Sequence, residues 1–273
     1  MLEEITPVIL TFNESANIDR TLAGLHWAKK VLVVDSFSTD DTVEIAMRHE
    51  NVEVHRRNFD THANQWSFAL AQTGITTEWI LALDADYVVS EELKAEIAGL
   101  RPDDEVSGFR TRFRYCVLGR PLRGSVYPPV TTLYRRKRAR YEQDGHTQRV
   151  RIEGRIDSLR HPIRHDDRKP LARWLSSQER YMTLEAAHIA GKPLASLAPA
   201  DALRRLIVVA PFLMFLHCAF VRGNVLDGRA GLYYALQRTL AECLLSLRLL
   251  EATLGHGAHT PPVPTTDQAK RGD

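Results

Sequence analysis

The sequence predicts an α/β fold with a doubly wound, mostly parallel sheet, followed by a mixed region and a C-terminal helical appendage. Strand-like and helix-like patterns alternate through the first hundred residues, the strand-like runs are almost continuously apolar, and the pattern changes after residue 100. Apolar strands of this kind are typical of a parallel sheet that helices cover on both faces. Such a sheet binds ligands at the carboxyl ends of its strands.

Each element of the first half follows from its local pattern. The helices are expected after capping residues such as Ser38 and Ser90, and residues 62–73 form a further helix. The predicted strands are the short apolar runs 7–12, 31–35, 52–55 and 79–84.

The second half begins at about residue 101. Phe109, Thr111, Phe113 and Tyr115 alternate as in a strand, and glycines and prolines then indicate loops. Helices are predicted at about 170–190, 201–221 and 227–254. We therefore divide the chain into an α/β half, a mixed region, C-terminal helices and a disordered tail, with bounds 1–100, 101–170, 171–254 and 255–273.

The net charge of +2 conceals a division of charge along the chain. Residues 1–100 hold 7 Lys and Arg against 17 Asp and Glu, whereas residues 101–173 hold 19 against 9. An acidic half can hold a cation, and a basic one can face phosphate or anionic lipid. The three cysteines lack C-x-x-C spacing, which argues against a disulfide framework or a zinc–cysteine site and favours a reducing, cytosolic compartment.

The longest apolar run covers residues 206–221 and is broken by a proline and a histidine. Because a membrane-spanning helix needs about 20 apolar residues, we expect a buried, interfacial or oligomer-forming helix. Glu3 and Glu4 stand where a secretory signal has basic residues, so no signal peptide is expected. Arginines flank the run like interfacial anchors, at positions 204, 205 and 222.

Asp84 and Asp86 stand two residues apart at the end of the fourth predicted strand. Carboxylates so placed can share Mg²⁺ or Mn²⁺ with phosphate oxygens. The alternative is a polar loop with a helix-capping aspartate. The position after a buried strand of an acidic α/β half favours the metal site.

Asp35 and Ser36 end the second strand. An acid there binds ribose in dinucleotide folds, but that site needs a glycine-rich turn after the first strand, which residues 11–14 lack. A phosphate-binding P-loop motif is absent as well. Ser38 and its neighbours serve as helix caps, whereas Asp35 has no cap to supply, which favours a ligand role.

Three motifs occur in order: Pro7-Val-Ile-Leu-Thr-Phe-Asn-Glu14, Val33-Val-Asp-Ser-Phe-Ser-Thr-Asp-Asp-Thr42 and Leu83-Asp-Ala-Asp86. Together they resemble family 2 glycosyltransferases of the GT-A fold, in particular bacterial lipopolysaccharide-core and exopolysaccharide enzymes. The resemblance implies a hexosyltransferase that uses a nucleotide diphosphate sugar, usually with UDP, and Mg²⁺ or Mn²⁺. The first half then binds the nucleotide sugar, and the mixed region lies on the acceptor side.

The resemblance also implies roles for individual residues. Asp35 matches the acid that hydrogen-bonds the base, and Asp86 matches the metal ligand on the diphosphate. Gln65 lies in a helix that reads roughly Q-R-N-x-A-L in relatives, but here an arginine and an asparagine are missing. The complete nucleotide-sugar set in the α/β half is Thr11, Phe12, Glu14, Asp35, Ser36, Gln65 and Asp84.

The second half is expected to supply the base that an inverting transfer needs to deprotonate the acceptor hydroxyl. Asp144 is the first candidate, Glu142 the second and His146 the third. The alternative is that Asp144 and Gly145 form a plain turn.

The segment 161–169 is dense in ionisable groups. His165 would complete the metal shell or grip the diphosphate, and Arg168 and Lys169 would pair with phosphate oxygens. A solvated loop is the alternative. A basic run at 135–138 lacks the interleaved aromatic residues of a nucleic-acid platform, so no nucleic-acid partner is expected.

With the resemblance, these residues imply a metal-dependent, inverting glycosyltransferase that moves a sugar from a UDP-sugar to a cell-surface glycan or lipid-linked acceptor. It would act in the cytoplasm, peripherally on the inner face of the cytoplasmic membrane, and the C-terminal helices could form a homo-oligomer. A nucleotidyltransferase is a rival, but it normally has a glycine-rich loop after the first strand. A non-catalytic, membrane-attached nucleotide-sugar-binding protein is another, which the atypical Gln65 helix leaves open.

Overall fold

The computed structural model of the protein describes residues 1–144 and 147–255. The strands are β1 (Ile5–Thr11), β2 (Val31–Asp35), β3 (Val52–Arg56), β4 (Trp79–Asp84), β5 (Tyr87–Val88), β6 (Val106–Thr111), β7 (Phe113–Val117), β8 (Arg120–Pro121), β9 (Val130–Arg135), β10 (Ala139–Asp144), β11 (Thr147–Ile152), β12 (Arg155–Ser158) and β13 (Ile163–His165). The helices are α1 (Ile18–Ala23), α2 (Thr42–Ala46), α3 (His62–Gln72), α4 (Glu91–Gly99), α5 (Leu171–Ala190), α6 (Pro199–Arg204), α7 (Val209–Leu216) and α8 (Gly228–Thr253).

Seven strands form the central sheet, in the order β12-β6-β9-β4-β1-β2-β3. The four strands β3, β2, β1 and β4 run parallel, and β9 is antiparallel to both β4 and β6. Strands β2 and β3 lie on one side of β1, and β4 lies on its other side. Because the strand order reverses between β1 and β4, the ligand crevice is expected at the carboxyl ends of these two strands. The predicted α/β class, with a mostly parallel sheet and C-terminal helices, is confirmed.

Two apolar layers cover the sheet. Helices α1 and α4 pack on one face through buried side chains such as Leu22 and Leu93, and α3 packs on the other through Trp66. The hairpin of β10 and β11 lies over α3, where the Tyr141 ring stacks on the Trp66 ring at 5.1 Å. The central strands are apolar throughout because both of their faces are covered in this way.

A four-stranded sheet, in the order β5-β13-β7-β8, lies beside the end of β4. Its pairing sets His165 of β13 opposite Tyr87 of β5 and Tyr115 of β7. This small sheet brings residues from both halves of the chain next to the aspartates that follow β4.

The predicted helix over 201–221 is wrong as a single element. It is divided into α6, α7 and a π-helical turn at His217–Val221, and Ile207 between α6 and α7 has a left-handed φ of 53°. Pro211 explains the break. Its ring would clash with the carbonyl of Ile207, four residues earlier, in a continuous helix, whereas proline is tolerated in the first turn of a new helix. The helix α7 therefore starts at Val209. Gly231 lets α8 approach the preceding turn, since a side chain there would overlap the carbonyl of Asn224.

Among the described residues, no single helix has the length and apolar character of a membrane span. The segments Val209–Val221 and Asn224–Thr253 form a pair bent by 69°, and only the two arms together have the length and apolar composition of a membrane span. Of the predicted tail at 255–273, all but residue 255 lies outside the described residues.

Candidate active site

Asp84 and Asp86 lie at the carboxyl end of β4, beside β1. Backbone pairing places Asp84 opposite Leu10, so both aspartates stand at the crevice between these two strands. The Asp86 side chain is only 11% exposed, and Nε2 of His165 lies 3.1 Å from its Oδ2. The structure thus brings the three residues predicted to bind metal to one end of the sheet.

The two aspartates differ in ionisation. Asp84 is exposed to the crevice but enclosed by protein on its other sides, and the loss of hydration, followed by the charge of Asp86, raises its pKa. Burial also opposes the ionisation of Asp86, but His165 and then Lys169 outweigh it and lower the pKa of that carboxyl. Burial disfavours the charged imidazole, yet Asp86 raises the pKa of His165.

This donor set fits a hard divalent cation. Mg²⁺ and Mn²⁺ prefer one or two carboxylates and take the rest of their shell from phosphate oxygens and water. A cation would also relieve the repulsion that raises the pKa of Asp84. Within residues 1–144 and 147–255, however, no group of three or more His, Cys, Asp or Glu side chains has ready-made metal-binding geometry. The phosphates of a ligand would therefore have to complete the shell.

The segment after His165 is tied to the loop between β1 and α1. Lys169 Nζ donates to Oε1 of Glu14 at 2.6 Å, and Asn17 Nδ2 donates to Oε2 of Glu14 at 2.8 Å and to Asp167 Oδ1 at 2.9 Å. Burial raises the pKa of Glu14, although Lys169 acts in the opposite direction. Glu14, predicted to line the nucleotide, in fact has both carboxylate oxygens engaged, and it holds Lys169 near Asp86.

Arg168, predicted to pair with phosphate oxygens, is bound within the protein, and its phosphate contact stays a prediction. Its Nε donates to Oδ2 of Asp166 at 2.9 Å, and Oδ1 of the same carboxylate accepts from the backbone N–H of Gly119 at 2.8 Å. The reason is local, because a buried carboxylate two residues earlier offers the guanidinium a nearer partner. In this arrangement Arg168 supports the turn between β7 and β8.

The loops after β1 and β2 expose aromatic rings. Phe12 and Phe37 are 46% and 47% exposed, and the Arg173 guanidinium lies 5.7 Å from the centroid of the Phe12 ring. Phe37 has a left-handed φ of 60°, which a bulky residue adopts only where its surroundings hold it. Thr11 Oγ1 is buried and has no hydrogen-bond partner in the described part of the chain. These groups suit a flat heterocycle with a polar edge.

Asp35 ends β2 and is hydrogen-bonded to the turn that follows it. Its side chain is fully buried, and its carboxylate accepts hydrogen bonds from the backbone N–H of Ser38, at 2.9 Å, and from the Ser38 hydroxyl. Asp35 caps no helix, as expected, since α2 begins at Thr42 after Asp41. Its carboxylate instead closes the turn that carries Phe37, and Ser38, expected as a helix cap, belongs to that turn. Base recognition by Asp35 stays a prediction.

Gln65 and Ser36 form an internal bridge. Gln65 is 1% exposed, its Nε2 donates to Ser36 Oγ at 2.8 Å, and its Oε1 accepts from Arg57 at 2.7 Å. Both ends of the amide are therefore engaged within the protein. Rather than presenting Gln65 to a ligand as predicted, α3 uses it to fix the loop that follows β2.

Of the three candidates for the base, the structure describes Glu142 and the backbone of Asp144, both on β10. The Glu142 carboxylate forms an exposed pair with Arg151, whose Nε lies 2.9 Å from its Oε2. His146 lies outside the described residues, and of Asp144 the structure describes the backbone, which ends β10. Asp144 and His146 thus remain predictions.

Four aromatic rings surround His165, at centroid distances from 4.7 to 5.9 Å; they belong to Tyr87, Phe113, Tyr115 and Tyr127. Tyr127 stacks on Tyr115 at 5.4 Å and is 38% exposed. Tyr127 is not among the site residues predicted from the sequence. The alternation of Phe113 and Tyr115 was the available signal for this aromatic wall, because it puts both rings on the face of β7 that His165 shares.

The sequence profile described as "Glycosyl transferase family 2" matches residues 6–154, more than half of the chain. This chain is a family 2 glycosyltransferase. The prediction of the family and of the enzyme class is therefore confirmed.

Named relatives of this glycosyltransferase match about a third of its length. An uncharacterized glycosyltransferase of Rickettsia felis is 39% identical over 97 residues, which are 35% of this chain and 33% of that protein. Glycosyltransferase SunS of Bacillus phage SPbeta is 36% identical over 98 residues, which are 34% of this chain and 22% of that protein. The match spans about a third or less of these curated relatives.

Two solved structures resemble this glycosyltransferase distantly. S. aureus TarS 1–349, in complex with UDP-GlcNAc, is 15% identical and covers 92% of each chain, with a TM-score of 0.49. Glucosyl-3-phosphoglycerate synthase from Mycobacterium tuberculosis, in complex with Mn²⁺, UDP and glucosyl-3-phosphoglycerate, is 14% identical and covers 69% of this chain and 80% of that one, with a TM-score of 0.44.

Proposed function

We propose that this family 2 glycosyltransferase moves a hexosyl group from a UDP-sugar to a cell-surface glycan or lipid-linked acceptor, with inversion and with the help of Mg²⁺ or Mn²⁺. The observation that carries the proposal is the pair of Asp86 and His165 beside Asp84, at the end of β4 next to β1. These residues place negative charge and an imidazole at the crevice where the fold receives its ligand.

Asp86 would hold the cation, with Asp84 and His165 beside it, and the cation would supply charge neutralisation at the leaving diphosphate. Lys169, held by Glu14, adds a fixed positive charge near the same point. Phe12 and Phe37 would line the base, and the buried Thr11 hydroxyl would find its partner on the ligand. Of the base candidates, Glu142 is the weakest because Arg151 occupies its carboxylate.

The location we propose is the inner surface of the cytoplasmic membrane. The support is an apolar face on α7, α8, the turns between them and the residue before α7, whose side chains are 40–79% exposed; its members are Val208, Phe212, Phe220, Val221, Val225, Leu226, Leu232, Leu236 and Leu240. Exposed apolar side chains concentrated in this way mark an interaction surface.

Charge favours anionic lipid over a second copy of the chain as the occupant of the apolar face. Asp227 and Glu242, the acidic residues within 205–250, are paired with Arg123 and Arg204 at 3.1 and 2.9 Å. Arg222 and Arg229 are exposed beside the face. The arm Val209–Val221 is about 20 Å long at 1.5 Å per residue, so it would enter one leaflet.

The function is tested by incubating the purified full-length protein with Mn²⁺ and a panel of UDP-sugars, and measuring UDP release with and without a membrane extract as acceptor. Metal-dependent UDP release from at least one sugar supports the proposal. UDP binding without release from any of them would identify a binding protein instead. Nucleotide transfer to a sugar phosphate would identify a nucleotidyltransferase.

A further inference from the structure

Arg238 of α8 points into the aromatic wall beside the proposed reaction centre. Its NH1 donates to the Tyr127 hydroxyl at 3.0 Å, its NH2 donates to Oε1 of Gln178 at 3.3 Å, and its guanidinium lies 6.0 Å from the centroid of the Trp174 ring. The partners are all neutral. Within the described part of the chain, no ion pair joins Arg238 to a carboxylate, and the groups with most electrostatic influence on it are tyrosines and a cysteine.

An arginine in this setting is unusual for a folded protein. Arg238 is half-buried. A guanidinium stays charged at all ordinary pH values, and withdrawing it even partly from water is costly unless an opposite charge accompanies it. The other arginine of α8 that faces α5, Arg248, has such partners in Glu179 and Glu251 at 3.0 and 2.9 Å. Arg238 thus has hydrogen-bonding capacity and charge that the described residues leave unmatched.

The surroundings of Arg238 are fixed in place. The loop that carries Tyr127 is held to α8, because the backbone N–H of Val126 donates to the Tyr234 hydroxyl at 2.9 Å and Arg123 pairs with Asp227. Tyr115 packs between this loop and α8, with centroids 5.4 Å from Tyr127 and 4.9 Å from Tyr234. The side chains therefore need little reorganisation to receive a ligand.

The position of this group relates it to the reaction. The Tyr127 ring lies 5.5 Å from the His165 ring, and His165 contacts Asp86. An aromatic surface with one placed cation is the composition of a small-molecule site, in which rings supply contact area and the charge supplies orientation. It stands on the side of His165 contributed by the second half of the chain, where the acceptor is expected.

We propose that Arg238, Tyr127 and Trp174 form an acceptor subsite that binds an anionic substituent, a phosphate or a carboxylate, on the acceptor sugar. The guanidinium would pair with two oxygens of the anion, while the tyrosine rings contact the sugar. This inference rests on the proposed function, because it assumes that a sugar acceptor binds next to His165.

The test uses glucose 6-phosphate and glucuronic acid as probes of the two anion sources, with glucose as the neutral reference. Binding to the full-length protein is measured by calorimetry with and without saturating UDP and Mn²⁺. At least one anionic probe should bind ten times more tightly than glucose, and the better probe tells phosphate from carboxylate. In Arg238→Gln the preference should disappear, whereas Arg238→Lys should keep a few-fold preference.

The matched control is Arg248→Gln, which removes a paired arginine from the same helix and should leave the preference unchanged. If Arg238→Gln does not unfold cooperatively on heating and is therefore misfolded, Arg238→Met is used to test whether the preference for the anionic probe is lost. In the wild-type protein, the better anionic probe should also shift the indole NMR signal of Trp174 among the four tryptophans.

Equal affinity for glucose and both anionic probes would overturn the subsite, and so would a preference that survives in Arg238→Gln. The UDP titration distinguishes a failure of the subsite from a failure of the proposed function. Absence of UDP binding to the wild-type protein contradicts the proposed function, whereas UDP binding with no anion preference contradicts only the subsite.

Discussion

The imidazole Nε2 of His165 lies 3.1 Å from Oδ2 of Asp86, although 79 positions separate the two residues along the chain. One comes from the end of β4 in the acidic half, and the other ends β13 in the basic half. The charge division of the sequence therefore has a structural counterpart in this contact between a carboxylate and an imidazole.

Asp86→Asn should lower sugar transfer by a factor of about 100 or more, which is typical when a placed charge at a reaction centre is removed. The change keeps the shape of the side chain but removes the charge that faces His165. UDP release measures the rate, and electron paramagnetic resonance of free Mn²⁺ measures metal binding. Asp19→Asn, at an exposed aspartate paired with His49, is the control. Unchanged metal affinity in Asp86→Asn would exclude Asp86 as a ligand.

Glu142→Gln should keep at least about a third of the transfer rate. Its carboxylate is already paired with Arg151, and an exposed pair of this kind contributes little. The measurement is initial UDP release at saturating donor. A loss of two orders of magnitude would instead make Glu142 the catalytic base.

Gln65→Ala should destabilise the protein by about 1–3 kcal/mol, because Ser36 loses its donor and Arg57 loses a buried partner. Arg57 keeps its exposed pair with Asp60. UDP affinity should fall too, since the bridge fixes the loop after β2. Urea unfolding and UDP titration give the two values. Gln72→Ala, at the exposed end of the same helix, is the control. Normal stability with lost UDP binding would mean that Gln65 contacts the ligand directly.

Glu96 provides a pH-dependent prediction. Burial opposes its ionisation, but hydrogen bonds from the backbone N–H groups of Arg160 and His161, and then His161 itself, lower its pKa. A carboxylate with a lowered folded-state pKa stabilises the fold above its unfolded value near 4.5, and that stability is lost as the pH falls through the folded value.

Glu96→Gln should therefore cost about 1 kcal/mol at pH 7, after allowance for solvent screening. Chemical unfolding measured from pH 7 to pH 3 should show that the difference in free energy of unfolding between Glu96→Gln and wild type becomes smaller at acidic pH. Glu50→Gln, at an exposed glutamate, is the comparison. A gap that widens on acidification would contradict the assigned role.

The double change Phe212→Ser and Phe220→Ser should weaken binding to vesicles containing phosphatidylglycerol at least tenfold. Each ring contributes about 1.5–3 kcal/mol when it leaves water, and tenfold corresponds to about 1.4 kcal/mol. Sedimentation with vesicles measures the effect, and Met47→Ser, at an exposed residue of the α/β half, is the control. If the wild-type protein is a dimer and does not bind vesicles, the apolar face binds a second copy of the chain instead.

The sequence was sufficient for the parallel strands β1 to β4 and for the placement of Asp84 and Asp86, because apolar strands with polar ends follow directly from local pattern. It did not show β9 and β12, which complete the central sheet. It was insufficient where a polar side chain can bind either a ligand or a partner within the protein. Asp35 turned out to hold Ser38, Gln65 to hold Ser36, and Arg168 to face Asp166, since a nearby internal partner determines the orientation of each side chain. Spacing along the chain does not show which partner is nearer in space.

The hydrogen bond between Lys169 and Glu14 spans 155 positions, and it has a consequence for the order of folding. Contacts between residues so far apart form late, because most of the chain must already be arranged before its ends can meet. The crevice can be completed only after residues 165–169 have left the ribosome and β13 has paired with β5. A nascent chain that ends before this segment contains β1 to β4 but lacks residues that complete the active site.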